Sequence, residues 1–204
     1  MNKDLIILVA DVQQEKTIET LLDERYKSLN IRRMTYDIFR HPRKDPGVYK
    51  EAAHFLKSYQ GEYEHALVLL DSEWAGAPGD AVYLRGTLQQ QLYNNGWNAN
   101  NAEVIVIDPE LEIWIWSDSP VVAEELRKPW NSIYTLAQKR GDWLKGQPKP
   151  IRPKELLEAI LRQQNRPRSS AIFQAIARRV GLTRCQDKAF ILLRQTLQNW
   201  FPSS

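Results

Sequence analysis

Residues 65–71 read HALVLLD, an apolar run closed by an aspartate. A run of that length without polar alternation reads as a strand buried on both faces, the kind found in parallel sheets covered by helices. The pattern recurs on either side of it. LIILVA (5–10) lies between Asp4 and Asp11, and EVIVI (103–107) runs into Asp108. IRRMTYDIF (31–39) alternates and reads as a further strand. Between these runs, helical spacing predicts helices over 11–27 and 48–59, and another that follows Asp80 and stops near Asn94-Asn95-Gly96. HPRKDPG (41–47) and SEWAGAPGD (72–80) read as loops. Asp108-Pro109, with Glu110 and Glu112 behind it, has the chemistry of a capped helix start. Strands alternating with helices predict an α/β fold, a mostly parallel sheet with helices on both faces.

From Val121 onward the pattern changes. Helical segments are expected near 121–127, 130–140, 155–164, 169–180 and 187–199, with GDWLKGQPKPIRP (141–153) as a stiff connector. The chain therefore divides into an α/β domain over 1–120 and an all-helical basic region over 121–204, packed on it. Of the 204 residues, 1–120 hold 12 Lys/Arg against 19 Asp/Glu, and 121–204 hold 16 against 6. A net of −7 is thus joined to a net of +10. Such asymmetry suits a protein that handles polyanions, and equally suits electrostatic docking of two halves on one another.

The remaining composition is mostly exclusionary. No apolar run approaches the roughly 20 residues of a bilayer span, and the opening MNKDLIILVADV reads as a strand, not a signal peptide. One cysteine, Cys185, offers neither an internal disulfide nor a thiolate cluster, so a cytoplasmic protein is expected, without a membrane partner. Neither a phosphate-binding GxxxxGK[ST] nor a GxGxxG occurs. His41, His54 and His65 lack metal spacing. Of the seven tryptophans, Trp114 is assigned to the core and Trp116 to its flank.

Open parallel sheets bind ligands beyond the carboxyl ends of their strands. That places Asp11, then Asp71 and Glu73, then Asp108, Glu110 and Glu112 at one rim. Carboxylates crowded together demand a proton or a cation, and an all-oxygen set suits Mg²⁺ or Mn²⁺. Each acid also has an ordinary reading. Asp11 and Asp108 are natural helix caps, Asp71 and Glu73 can be solvated loop residues, and Glu110 and Glu112 can complement a helix dipole. If both glutamates sit on one helix they diverge, so only one of them faces the rim.

At this point the residues reach a resemblance. LVLLDSEW (67–74) resembles the strand and Asp-x-Asp signature of Toprim nuclease domains, with Glu73 in the second acidic position. DPELEIWIW (108–116), KPIRPK (149–154) and RCQDKAFILLRQTLQ (184–198) resemble segments of small Toprim-like proteins of bacterial defence loci, the RloB-like and overcoming-lysogenisation-defect nuclease groups. The likeness is greatest to the small Toprim-like component of methylation-associated defence systems. It implies Mg²⁺ (or Mn²⁺) held by Asp71, Glu73, Glu110 and Glu112, and phosphodiester hydrolysis with DNA or RNA as partner, alongside other defence proteins. Toprim domains carry Glu-Gly after the first strand, where this chain has Asp11-Val12; Asp11, or Glu15 one turn on, would take the catalytic place, with Lys154 on a phosphate oxygen. Lys149 reads as a solvated lysine. Arg152, Arg166, Arg168, Arg178 and Arg179 are the candidates for a nucleic-acid track, with Arg162, Arg184 and Arg194 as further members, and Ser169 or Ser170 is expected to cap a helix. Two other readings stay open: a non-catalytic nucleic-acid-binding or adaptor subunit, and a Mg²⁺-dependent phosphohydrolase of a small nucleotide.

Overall fold

In the computed structural model, which describes residues 2–183 and 185–203, four strands form one all-parallel sheet. They are β1 (Lys3–Val9), β2 (Tyr36–Arg40), β3 (Tyr63–Asp71) and β4 (Ala102–Ile107), in the order β2-β1-β3-β4. Register pairs Ile7 with Ile38 and with Leu67, and Leu69 with Ile105. The chain leaves β1 toward one edge and later returns on its other side, so the carboxyl ends of β1 and β3 meet at a topological switch point, where a crevice opens.

The period of two along each strand sorts side chains onto two faces. Ile6, Leu8, Val68, Leu70, Val104 and Val106 pack under α3 (Lys44–Lys57) and α4 (Ala81–Asn94). Leu5, Ile7, Val9, Leu67, Leu69, Ile105 and Ile107 pack under α1 (Val12–Glu24) and the helical region. That region comprises α5 (Pro120–Glu125), α6 (Trp130–Arg140), α7 (Pro153–Gln163), α8 (Ser170–Arg179) and α9 (Lys188–Trp200). Here α2 is the short helix Tyr26–Leu29. Ile160, Phe173, Phe190 and Phe201 belong to the same core as β1, so the helical region shares its apolar interior with the sheet. Arg25 adds a polar tie, donating to the carbonyls of Ala177 (2.6 Å) and Val180 (3.0 Å) at the end of α8.

Several expected boundaries move. The alternating stretch 31–39 is strand only from Tyr36; Ile31 instead bridges antiparallel to Pro202. The 41–47 loop is half helix: α3 starts at Lys44 and takes Asp45 and Pro46 into its first turn, where proline costs no hydrogen bond. Gly47 is required there, because a Cβ would collide with the His41 ring. Asp108 caps no helix. A cis peptide joins it to Pro109, its Oδ1 accepts from Ser72 Oγ at 2.8 Å, and a single 3-10 turn begins only at Leu111. The tryptophan assignment is reversed: Trp116 is buried with its indole N–H on Pro153 O, and Trp114 lies at the edge. Ser169 takes the cap position of α8 without a side-chain hydrogen bond. Lys149 is not simply solvated; it donates to Ile113 O at 2.8 Å and pins the 3-10 turn. No helix among the described residues is long and apolar enough to cross a membrane.

Candidate functional site

The rim at the carboxyl ends of the strands carries five carboxylates. Asp11 follows β1, Asp45 opens the helix after β2, Asp71 ends β3, and Glu110 and Glu112 follow β4. Asp71 is central. Its Oδ1 accepts from Gln14 Nε2 (2.9 Å) and from the backbone N–H of Leu111 (3.1 Å), while its own N–H donates to Asp45 Oδ1 (2.9 Å). Gln14 is 1% exposed and also accepts from Ala10 N–H, so one amide ties β1 to β3 beneath the rim. Burial raises the Asp71 carboxyl well above its ordinary value, and Asp45, Glu112 and Asp11 push it the same way. Burial, and then Asp11, raises Asp45 too.

Glu110 and Glu112 both turn inward, contrary to the expectation that they diverge. They do not share a helix. Glu110 is extended at the cap position of the 3-10 turn, and Glu112 lies inside that turn. Burial and the neighbouring Glu112 lift Glu110 to about 7. Glu112 is 1% exposed, and burial raises it against the opposing pull of Arg168.

Two cations answer these five acids, both from beyond residue 150. Lys154, at the start of α7, lies 3.4 Å from Glu110 Oε2, and its N–H donates to Glu110 Oε1 at 3.1 Å. Burial opposes its charge, but Glu110 and Glu112 outweigh that and hold the ammonium above its usual value. Arg168 grips Glu112 Oε1 through Nε (2.6 Å) and Nη2.

The other nominated residues stand apart. Asp11 behaves as its ordinary reading says, capping α1 through the N–H groups of Gln13 and Gln14 (both 2.9 Å) while still facing the acid group. Glu15 points toward β2, paired with Arg40 and with Lys16. Glu73 is exposed beyond the strand end, its N–H on Pro109 O, and lines a shallow depression with Glu110, Lys154 and Glu158. The nominated arginines are all in ion pairs: Arg152 with Asp142 and Glu155, Arg166 with Glu125, Arg178 with Glu24, and Arg179 with Glu124, besides Arg168. Arg178 and Arg168 reach the α/β half, so part of the charge asymmetry is spent on docking. Arg194 lies against Leu182 O, Arg162 is exposed, and Arg184 lies outside the described residues.

Beside Asp11, a cleft of about 710 Å³ opens between the ends of β1 and β2, lined by Asp11, Glu15, Arg40, His41, Lys44 and Arg168. Its size falls within the range of small-molecule and cofactor sites. As the side chains stand, no three His, Cys, Asp or Glu among the described residues are arranged to hold a metal ion. Asp11 is engaged by α1, Glu110 by Lys154 and Glu112 by Arg168. The donor chemistry nevertheless fits a hard divalent cation: Asp11, Asp45, Asp71 and Glu112 are all-oxygen donors crowded against one another at a strand-end crevice.

Asp45 and Gln14 are the residues that sequence reasoning missed. The Asp-Pro pair at 45–46 is a legible helix-start signal. Gln14 gave none, because its role depends on which strand lies beside β1. Comparison with family models, with curated proteins and with solved structures finds no match.

Proposed function

We propose that the chain is a Mg²⁺- or Mn²⁺-dependent phosphodiesterase acting on nucleic acid, the nuclease-type subunit of a bacterial antiphage defence system. The observation that carries the reading is the imbalance at the rim. Five carboxylates, Asp71 at their centre, gather there with Lys154 and Arg168 as the cations paired with them among the described residues. Burial, with the neighbouring acids, holds Asp71, Asp45 and Glu110 above their ordinary values, as burial does Glu112. Such crowding is costly to a fold unless a ligand uses it.

Asp71, with Asp45, Asp11 and Glu112, would hold the ion, which would neutralise the scissile phosphate and lower the pKa of a bound water. The chain's own groups divide the rest. Lys154 stays charged and offsets the charge that builds on the phosphate oxygens. Glu110, near 7, exists in both protonation states at neutral pH, so proton transfer to the leaving oxygen suits it better than a ligand's place. Glu15, paired with Arg40 and Lys16, and Glu73, exposed beyond the strand end, are given no part in this reading.

The test is incubation of the purified protein, alone and with products of adjacent genes, with single- and double-stranded DNA and RNA in Mn²⁺. Cleavage is expected, abolished by a chelator. Glu110→Gln should flatten the rise or fall in rate that the wild type shows around pH 7. No cleavage in any combination would leave the adaptor reading, which the engagement of Asp11 as a helix cap favours.

A further inference from the structure

Arg168 docks the helical region on Glu112, but docking alone does not account for its position, nor does a simple phosphate track. It stands in the short connection between α7 and α8, and the segment is already anchored without it: Arg166 donates to Glu125 O at 2.9 Å and pairs with the Glu125 carboxylate. The Arg168 side chain is partly exposed and lines the 710 Å³ cleft, yet its guanidinium holds Glu112, the most deeply buried acid of the rim, and lies over the Phe173 ring at 5.5 Å. One cation therefore faces two sites. On one side is a carboxylate that the metal reading needs. On the other is a cleft whose further cations are Arg40, paired with Glu15, and Lys44, which makes no ion pair among the described residues.

Resting on the metal-dependent reading above, we infer that Arg168 is an internal counter-ion that a divalent metal displaces from Glu112, and that the released guanidinium then grips a phosphate of the nucleic acid in the cleft. In the metal-free protein a buried carboxylate without a partner would be costly, and Arg168 supplies one. When a divalent ion takes Glu112, the guanidinium loses its anion and becomes, with Lys44, an unpaired cation lining the cleft. A phosphate, which accepts two parallel N–H bonds from arginine, replaces the carboxylate as its partner. Metal and nucleic acid would thus favour each other's binding through one side chain.

The consequence is a pair of effects of opposite sign. Replacing Arg168 removes the competitor for Glu112, so if the arginine-free arrangement is about a tenth of the population, Arg168→Ala should bind Mn²⁺ about tenfold more tightly. The same variant should lose the rise in oligonucleotide affinity that metal gives the wild type. A merely structural arginine would weaken both.

The measurements are calorimetric titration of Mn²⁺ at pH 8, and anisotropy with a short single-stranded oligodeoxynucleotide in Ca²⁺ and in chelator. Both are made on the wild type, Arg168→Ala and Arg168→Gln, the last keeping a donor beside Glu112 should the alanine variant not fold. Tighter Mn²⁺ binding, with the metal-dependent rise in oligonucleotide affinity abolished, supports the inference. Mn²⁺ binding unchanged or weaker in both variants, with the wild type binding normally, overturns it and leaves the metal reading intact. Tighter Mn²⁺ binding with that rise retained overturns the hand-over to phosphate. No Mn²⁺ binding by any of the three overturns the metal reading, and the inference with it.

Discussion

The two edges of the sheet use the same residue type to opposite ends. At the amino-terminal edge, Asp4 accepts from Arg32 (2.6 Å), from Thr35 N–H (2.6 Å) and from Thr35 Oγ1 (2.8 Å). These partners, Arg32 foremost, lower it to about 2. Asp37 there is held by Lys3 (2.6 Å) and the Tyr63 hydroxyl (2.5 Å), and is likewise lowered. At the carboxyl edge Asp71, Asp45, Glu110 and Glu112 are all raised, chiefly by burial. An edge whose carboxylates are each paired adds to stability. An edge whose carboxylates outnumber their cations gives stability up, and on the function proposed above that deficit is where a ligand's charge would be accommodated.

The largest effect that would sharpen this contrast comes from neutralising one acid at each edge. Asp71→Asn keeps an acceptor for Gln14 and Leu111 but removes the central charge. Mn²⁺-dependent cleavage should fall on the order of a thousandfold, as for loss of a metal or charge-stabilising group, while the melting temperature holds or rises. Asp4→Asn should leave any activity in place and cost about 1–2 kcal/mol, since it weakens charge-assisted bonds at a partly exposed site. Denaturant melts and cleavage assays on the two variants check both. A destabilised Asp71→Asn would break the comparison.

A smaller effect is expected from pH. Glu110 ordinarily titrates near 4.5 and is raised to about 7 in the fold, so between those values the native state holds a proton that the unfolded chain has released. Stability contributed by that proton is present below about 4.5 and is lost as pH rises through 7. Asp71 and Asp45 act in the same direction. Without metal, the melting temperature should fall by a few degrees between pH 5 and 8 (about 1 kcal/mol shifts it by a few degrees in a chain of this size). Mn²⁺ at pH 8 should reverse the fall, and Glu110→Gln should shrink it. A metal-free melting temperature that holds level or climbs over the same range would break the comparison, since Asp4 and Asp37, lowered below their ordinary values, stay ionised throughout it and add no slope there.

The smallest effect concerns the outer arginines. Arg178 and Arg179 form exposed pairs with Glu24 and Glu124, so replacing both with alanine should change stability by no more than about 0.5 kcal/mol each. If they also meet nucleic acid, each phosphate that is no longer neutralised should lower the log–log salt slope of binding by roughly 0.7–0.9. Titration of an oligonucleotide at several salt concentrations measures this, and an unchanged slope assigns both residues to docking alone.

Much of this was legible in the chain because its signals are local. The three doubly buried strands, the cap at Asp11, and the helices beyond 121 follow from periodicity and end chemistry over a few residues. The misreadings arose where local chemistry had two outcomes. Asp108-Pro109 has the composition of a helix start and became a turn that Ser72 secures from the neighbouring strand. Lys149 has the composition of a solvated lysine and became a donor to the 3-10 turn.

The sequence by itself determined that acids stand at the ends of the parallel strands, because burial on both faces leaves a strand no place for charge except its ends. It determined equally that the cations gather in the helical half. Which acids face each other was decided by tertiary structure. Strand order sets β3 beside β1 and so brings Asp71 to Gln14, 57 residues away, and the path of the helical region brings Arg168 to Glu112 across 56. Electrostatic neighbours inside a fold are set by the crossing of elements distant in sequence, and the pairing energy is felt only once water has been excluded between them. No spacing in the chain encodes that exclusion.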